Sequence, residues 1–223
     1  MANYEPTVIQ SQASTLATNK LIRNTYMLLS LTLLFSALTA GVSMMLAIPH
    51  PGPILTLIGY FALLFLTTRF RNSALGLVFV FALTGFMGLT LGPIISFYLT
   101  QFSNGSQLVA TAMGGTGAIF LGLSGYAMTT RKDFSFLGGF VMVGILVAFL
   151  ASIGAMIFSL PALSLAVSAM VVLLMSALIL YETSNIVHGH ETNYIMATIT
   201  LYISIYNLFL ALLQLLGFFG GDD

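Results

Sequence analysis

The chain has 223 residues, of which 58% are hydrophobic and only 5% charged, with six basic and six acidic side chains that cancel. An ordinary soluble domain carries about 25% charged residues and could not cover its surface with so few, so the composition places the chain in a bilayer. The formal net charge of zero leaves no basic field to draw in nucleic acid, so no nucleic-acid partner is expected, and the lack of cysteine excludes disulfides, thiolate metal sites and a cysteine nucleophile.

The positions of the charges divide the chain. Apart from Glu5, Asp222 and Asp223 they fall in four groups: Lys20 with Arg23, Arg69 with Arg71, Arg131 to Asp133, and Glu182 to Glu191. Between the groups lie uncharged stretches of 45, 59 and 48 residues, and a last one of 30 runs from Thr192 to Gly221. A crossing takes about 20 residues at ~1.5 Å rise each, so every long stretch holds two crossings and the last holds one. Turn chemistry interrupts each long stretch, at Pro49-His50-Pro51-Gly52-Pro53, at Thr100 to Gln107, and at Ser159-Leu160-Pro161.

These features predict an all-α integral membrane protein of seven transmembrane helices over 22–48, 53–69, 73–99, 107–130, 134–158, 162–186 and 193–217. Three hairpins leaving from one side put all four charge groups, and every Lys and Arg, on that side. By the positive-inside rule it is cytoplasmic, with a cytoplasmic N-terminus and an outward-facing C-terminus.

Residues 1–19 are rich in Gln, Ser, Thr and Asn without a hydrophobic period, which predicts a disordered cytoplasmic tail ahead of a membrane domain over 20–219. Lys20 and Arg23 before an apolar run look like the start of a signal peptide. That run is too long for the 7 to 15 residues of such an apolar region, so it is expected to be a retained first helix.

The third helix contains Gly88-Leu89-Thr90-Leu91-Gly92-Pro93, where the two glycines have the spacing that lets helices approach closely. Pro93 lacks an amide hydrogen, so a kink or break is expected, and the freed carbonyl must find a partner inside the protein. Such a break can line a substrate site, but close packing alone accounts for the glycines and is the favoured reading. The fourth helix carries Gly122-Leu123-Ser124-Gly125, the sequence context of a rhomboid-type serine nucleophile. No histidine is placed within reach of Ser124 as a base: His50 belongs to an outer turn, and His188 and His190 to a connector. Ser124 is therefore expected to be a packing residue and the chain not to be an enzyme. His188-Gly189-His190-Glu191 supplies metal-binding residue types without a helical i, i+4 pair, so it reads as a solvated connector with no metal or other cofactor.

Glu182 ends the sixth helix directly after an apolar run, where an acid reaches water or pairs with a base. Arg69, at the same end of the second helix, is the candidate partner in a latch or a gate. On the seventh helix Asn193, Thr200, Ser204, Asn207 and Gln214 fall within an arc of about 60 to 80° at 100° per residue. A polar face on an apolar helix must point into the bundle, toward a water-accessible cavity or another helix.

Three segments carry a resemblance: Gly88 to Ile95, Thr129 to Gly138, and Leu201-Tyr202-Ile203-Ser204-Ile205-Tyr206-Asn207-Leu208-Phe209. Together they resemble the signature segments of the Bax inhibitor-1 family, also called transmembrane Bax-inhibitor-motif proteins, and the likeness runs from about Lys20 to Gly217. It is strongest to proteobacterial members and extends through Glu182-Thr183-Ser184-Asn185-Ile186. The resemblance implies seven helices with the seventh at the centre, in a bacterial cell inner membrane.

Two functions are implied. In one the protein binds the membrane-anchored AAA protease FtsH, is a poor or slow substrate of it and so restrains degradation of other membrane proteins, with tail residues Tyr4, Glu5 and Gln10 as the engagement point. In the other it is a pH-sensitive leak for calcium, gated by an aspartate pair at the end of helix six and in helix seven. Here the first position is Glu182, but the family's Leu-Tyr-x-Asp reads Leu201-Tyr202-Ile203-Ser204, so the second carboxylate is missing. A carboxylate facing a hydroxyl has no like charge to relieve, and the proton-sharing mechanism does not carry over intact.

Overall fold

The computed structural model describes residues 5–220, with side chains from Leu16 onward. Seven helices follow in order: α1 (Glu5–Met45), α2 (Pro53–Arg69), α3 (Ala74–Gln101), α4 (Gly105–Thr130), α5 (Leu137–Ile157), α6 (Pro161–His188) and α7 (Tyr194–Gly220). Each overlaps one of the spans expected from the charge spacing, with ends that differ by a few residues apart from the start of α1.

One expectation differs from what is observed. α1 begins at Glu5, inside the stretch for which hydropathy gave no order. Pro6 suits a first helical turn, and no glycine or proline interrupts the chain from Thr7 to Ala40, so a helix nucleated in the apolar run propagates backward at little cost. Tyr4 lies outside the described residues, as do the side chains of Glu5 and Gln10. α2 keeps its expected bounds and, at 17 residues, stands at the lower end of the spanning range, while among the described residues six helices are long and apolar enough to cross a membrane.

The turns follow local chemistry. Pro53 opens α2 and Pro161 opens α6, each where a missing amide hydrogen is harmless. α6 closes on Gly189 at φ 75°, where the glycine N–H returns to the carbonyls of Asn185 and Ile186. Only Phe102, Ser103 and Asn104 separate α3 from α4, fewer than the polar run suggests, and the Asn104 side-chain amide donates to the Gly220 carbonyl at the far end of α7.

α7 packs against α1, α3, α4 and α6, and α1 pairs along α3. Leu29, Val80, Leu83, Ile195, Ile199 and Tyr202 form the apolar core between α1, α3 and α7, while Leu174, Met175, Ile179 and Leu208 join α6 to α7. α5 stands at the periphery on α6, with Phe140, Met142, Val143, Leu146 and Leu150 exposed. A row of outward-facing apolar side chains suits lipid as solvent.

Candidate functional site

The glycines of α3 meet α1 directly. A Cβ at Gly92 would stand 2.6 Å from Ser43 Cβ and 2.8 Å from the Ala40 carbonyl, and one at Gly88 would overlap the Ser36 carbonyl and the Thr39 hydroxyl. α3 passes through Pro93 without a break. The carbonyl that Pro93 cannot satisfy, four residues back at Leu89, accepts a hydrogen bond of 2.8 Å from Ser43 Oγ. Gly88, Gly92 and Pro93 thus serve an α1–α3 seam.

The largest concentration of buried polar groups lies at the C-terminal end of α6. Glu182, Thr183, Ser184 and Asn185 are all buried there. Thr183 Oγ1 is 3.3 Å from the Tyr26 hydroxyl on α1 and 3.4 Å from Ser124 Oγ on α4. Ser124 is buried against the Thr183 hydroxyl.

Ser184 Oγ accepts from the Phe134 amide at 2.9 Å and donates to the Lys132 carbonyl at 3.3 Å, pinning the connector between α4 and α5. His188 is the last residue of α6 rather than part of a solvated connector. Its Nδ1 lies 2.9 Å from the Ser184 carbonyl and its Nε2 3.1 Å from the Arg131 carbonyl, each nitrogen donating when it carries the proton. On the connector the Ser135 amide donates to Asp133 Oδ1 at 2.8 Å. Hydrogen bonds from the backbone and side chain of Ser135, with smaller contributions from nearby His188 and His190, hold the Asp133 carboxyl below the usual carboxylate range. Among the described residues no group of three His, Cys, Asp or Glu could hold a metal ion.

Glu182 is 5% exposed, and its Oε1 has no hydrogen-bond partner. The expected pair with Arg69 is not formed. Arg69 is exposed at the end of α2, and α2 packs on α3 rather than on α6, so the two ends share no interface. Ser204 is fully buried on α7, but its hydroxyl turns back to the Thr200 carbonyl at 2.7 Å and shares no bond with Glu182.

The polar stripe of α7 divides into three uses. Asn193 precedes the helix and caps it, its Oδ1 accepting from the Ile195 and Met196 amides at 3.0 and 3.1 Å, while its Nδ2 reaches Asn72 Oδ1 at 2.8 Å. Thr200 and Ser204 bond to one another within the helix. Asn207 and Gln214 line a cavity of about 310 Å³ between α5, α6 and α7.

Sequence reasoning missed Ser43, Tyr202 and the serines of α6. Tyr202 is 1% exposed, donates to the Thr84 carbonyl at 3.3 Å and, with its one proton so used, accepts from Ser36 Oγ at 2.6 Å, so one phenol ties α7 to α1 and α3. The serines were legible as the i, i+4 pair Ser164 and Ser168 in an apolar run.

A family model described as "Inhibitor of apoptosis-promoting Bax1" matches residues 18–221. The chain is 51% identical over 211 residues to the Escherichia coli protein named "Modulator of FtsH protease YccA", covering 95% of each chain. It shows the same identity to a protein of a second E. coli strain named "Inner membrane protein YccA". An uncharacterised Pseudomonas aeruginosa protein is 54% identical over 202 residues, 91% of this chain and 90% of that one.

Proposed function

Since the chain belongs to the Bax1-inhibitor family and is a multi-pass protein of the bacterial inner membrane, we propose that it acts by binding, as a modulator of the membrane-anchored FtsH protease. One observation carries this: identity of 51% over 95% of both chains with a protein named for that role. In this reading the ends of the helices that bear Arg69, Arg131 and Glu182 face the cytoplasm, because all six Lys and Arg cluster there, and the C-terminus is periplasmic. Residues 1–19 form the cytoplasmic extension of the domain 20–219, and the segment from Tyr4 through Glu5 to Gln10 is where the protease engages.

Binding without chemistry also suits the buried polar cluster of α6. Thr183 links to Tyr26 and Ser124 across α1 and α4, and Ser184 holds the backbone of the α4–α5 connector, so these bonds tie together the end of the bundle to which the N-terminal extension is attached. The test is the lifetime of an FtsH membrane substrate in cells making the intact chain or a chain lacking residues 2–19. The intact chain lengthens that lifetime and the shortened chain does not; a lifetime unaffected by the intact chain refutes the proposal.

A second reading, a cation leak for calcium gated at Glu182, is favoured by one feature: the buried Oε1 of Glu182 has no partner. Against it, Ser204 offers no second carboxylate, and its hydroxyl is committed to Thr200.

A further inference from the structure

The cavity of about 310 Å³ is floored by α6 and flanked by α5 and α7. α5 packs on α6, and no packing face joins α5 to α7, so the cavity opens sideways between them. In a bilayer a sideways opening meets lipid.

Its polar lining is Ser152, Ser164, Ser168, Asn207 and Gln214. Ser168 Oγ donates to Gln214 Oε1 at 2.8 Å, and Gln214 Nε2 donates to Ser164 Oγ at 2.6 Å, which fixes the orientation of the amide. The hydroxyl proton of Ser164 and the second N–H of Gln214 are left to donate. The Asn207 amide spends one N–H on the Ile203 carbonyl at 2.9 Å and keeps its oxygen and other N–H. The rest of the lining is apolar, from Val167, Val171 and Leu210 among others, and no lining residue is ionisable. The cavity therefore offers donors beside apolar surface with no charge to draw in a phosphate and no carboxylate to hold a divalent cation.

Depth narrows the occupant. Ser164 and Ser168 are three and seven residues into α6 from Pro161, and Ser152 is five residues before Ile157 ends α5. At ~1.5 Å per residue these groups lie about 5 to 10 Å inside the helix ends, the depth in a ~30 Å hydrocarbon core at which ester carbonyls give way to acyl chains. The charged groups Arg131 to Asp133 and Glu182 to Glu191 are at the opposite end of the bundle.

We propose that this cleft binds the glycerol-ester region of a membrane glycerolipid, with Ser164 and Gln214 donating to its ester carbonyls and its acyl chains lying along α5 and α7. The site reads the glycerol diester and not the headgroup, so a diacylglycerol is held as well as a phospholipid.

The test is native mass spectrometry of the full chain taken from vesicles of phosphatidylethanolamine and phosphatidylglycerol doped with dioleoylglycerol. The intact chain retains a glycerolipid, with dioleoylglycerol and phosphatidylglycerol retained in proportion to their supply. Gln214→Leu with Ser168→Ala lowers the retained fraction about tenfold, as loss of one or two donors would, and Ser164→Ala alone gives a smaller loss. Ser176→Ala, which removes a hydroxyl bonded within α6 to the Val172 carbonyl and away from the cleft, leaves retention unchanged. Unchanged retention in both cleft variants, retention of phosphatidylglycerol without dioleoylglycerol, or an intact chain that retains no lipid would each overturn the proposal. The last of these outcomes means that the cleft holds water. Ser164→Ala keeps the helix and the Ser168–Gln214 bond, so a folding defect in the double variant does not decide the result.

Discussion

Ser43 on α1 donates to the carbonyl of Leu89 on α3 at 2.8 Å, and that carbonyl is the one left without an amide donor by Pro93. An intrahelical vacancy is thus filled from a neighbouring helix at the point where Gly92 brings the two backbones together.

Ser43→Ala leaves the Leu89 carbonyl unpaired and should destabilise the protein by about 1 kcal/mol, within the ~0.6 to 1.7 found for such bonds in membranes. Pro93→Ala restores an N–H four residues after Leu89, so Ser43→Ala should cost much less in that background. A double-mutant cycle on unfolding midpoints in detergent measures the coupling. Equal costs in both backgrounds would mean that the serine acts by packing alone.

A methyl at Gly88 would strike the Ser36 carbonyl and the Thr39 hydroxyl, whereas one at Gly114 meets nothing within 4 Å. Gly88→Ala should lower stability by about 1 to 3 kcal/mol, as overpacking does, while Gly114→Ala should be neutral or slightly stabilising. Thermal unfolding of the two variants in one detergent compares them, and equal midpoints would contradict the close seam.

The connector at Arg131 to Phe136 is held by Ser184 and by Asp133. Ser184→Ala removes the acceptor of the Phe134 amide, which should then exchange its hydrogen faster. The Asp133 carboxyl is held below its usual range by Ser135, so its contribution to the turn is complete above about pH 4, the ordinary carboxylate value, and is lost as pH falls through the lowered one. Exchange at Ser135 should be independent of pH between 5 and 7 once intrinsic rates are removed, and should rise in more acid solution. Asp133→Asn should abolish the acid rise.

Most of the helical plan was legible because charge is costly in a bilayer, so groups such as Arg131 to Asp133 could stand only between crossings. The start of α1 was not legible, since residues 5–19 have no apolar period and their helix grows from the segment that follows. The packing of Gly88 and Gly92 followed from spacing, but the direction they face did not. Arg69 and Glu182 lie at the same end of the chain's hairpins, yet sequence does not say that α2 packs on α3 and is separated from α6. Ser204 fell on a polar stripe whose members serve three unrelated uses, because a hydroxyl can satisfy itself on its own helix.

With no bond between Arg69 and Glu182, Arg69→Gln should leave the unfolding midpoint unchanged. Glu182→Gln replaces a buried group whose Oε1 is unpartnered and should be neutral or stabilising. In proteoliposomes neither the natural chain nor Glu182→Gln should pass calcium. A flux that Glu182→Gln alters would favour the leak over the binding role.

The central claim is that the chain works by binding the protease. Copurification tests it most directly: the chain is tagged, extracted from membranes in mild detergent and its partners identified by mass spectrometry. FtsH should be recovered with the intact chain and be depleted when residues 2–19 are removed. An intact, folded chain that recovers no FtsH, with the protease present in the same extract, would contradict the account.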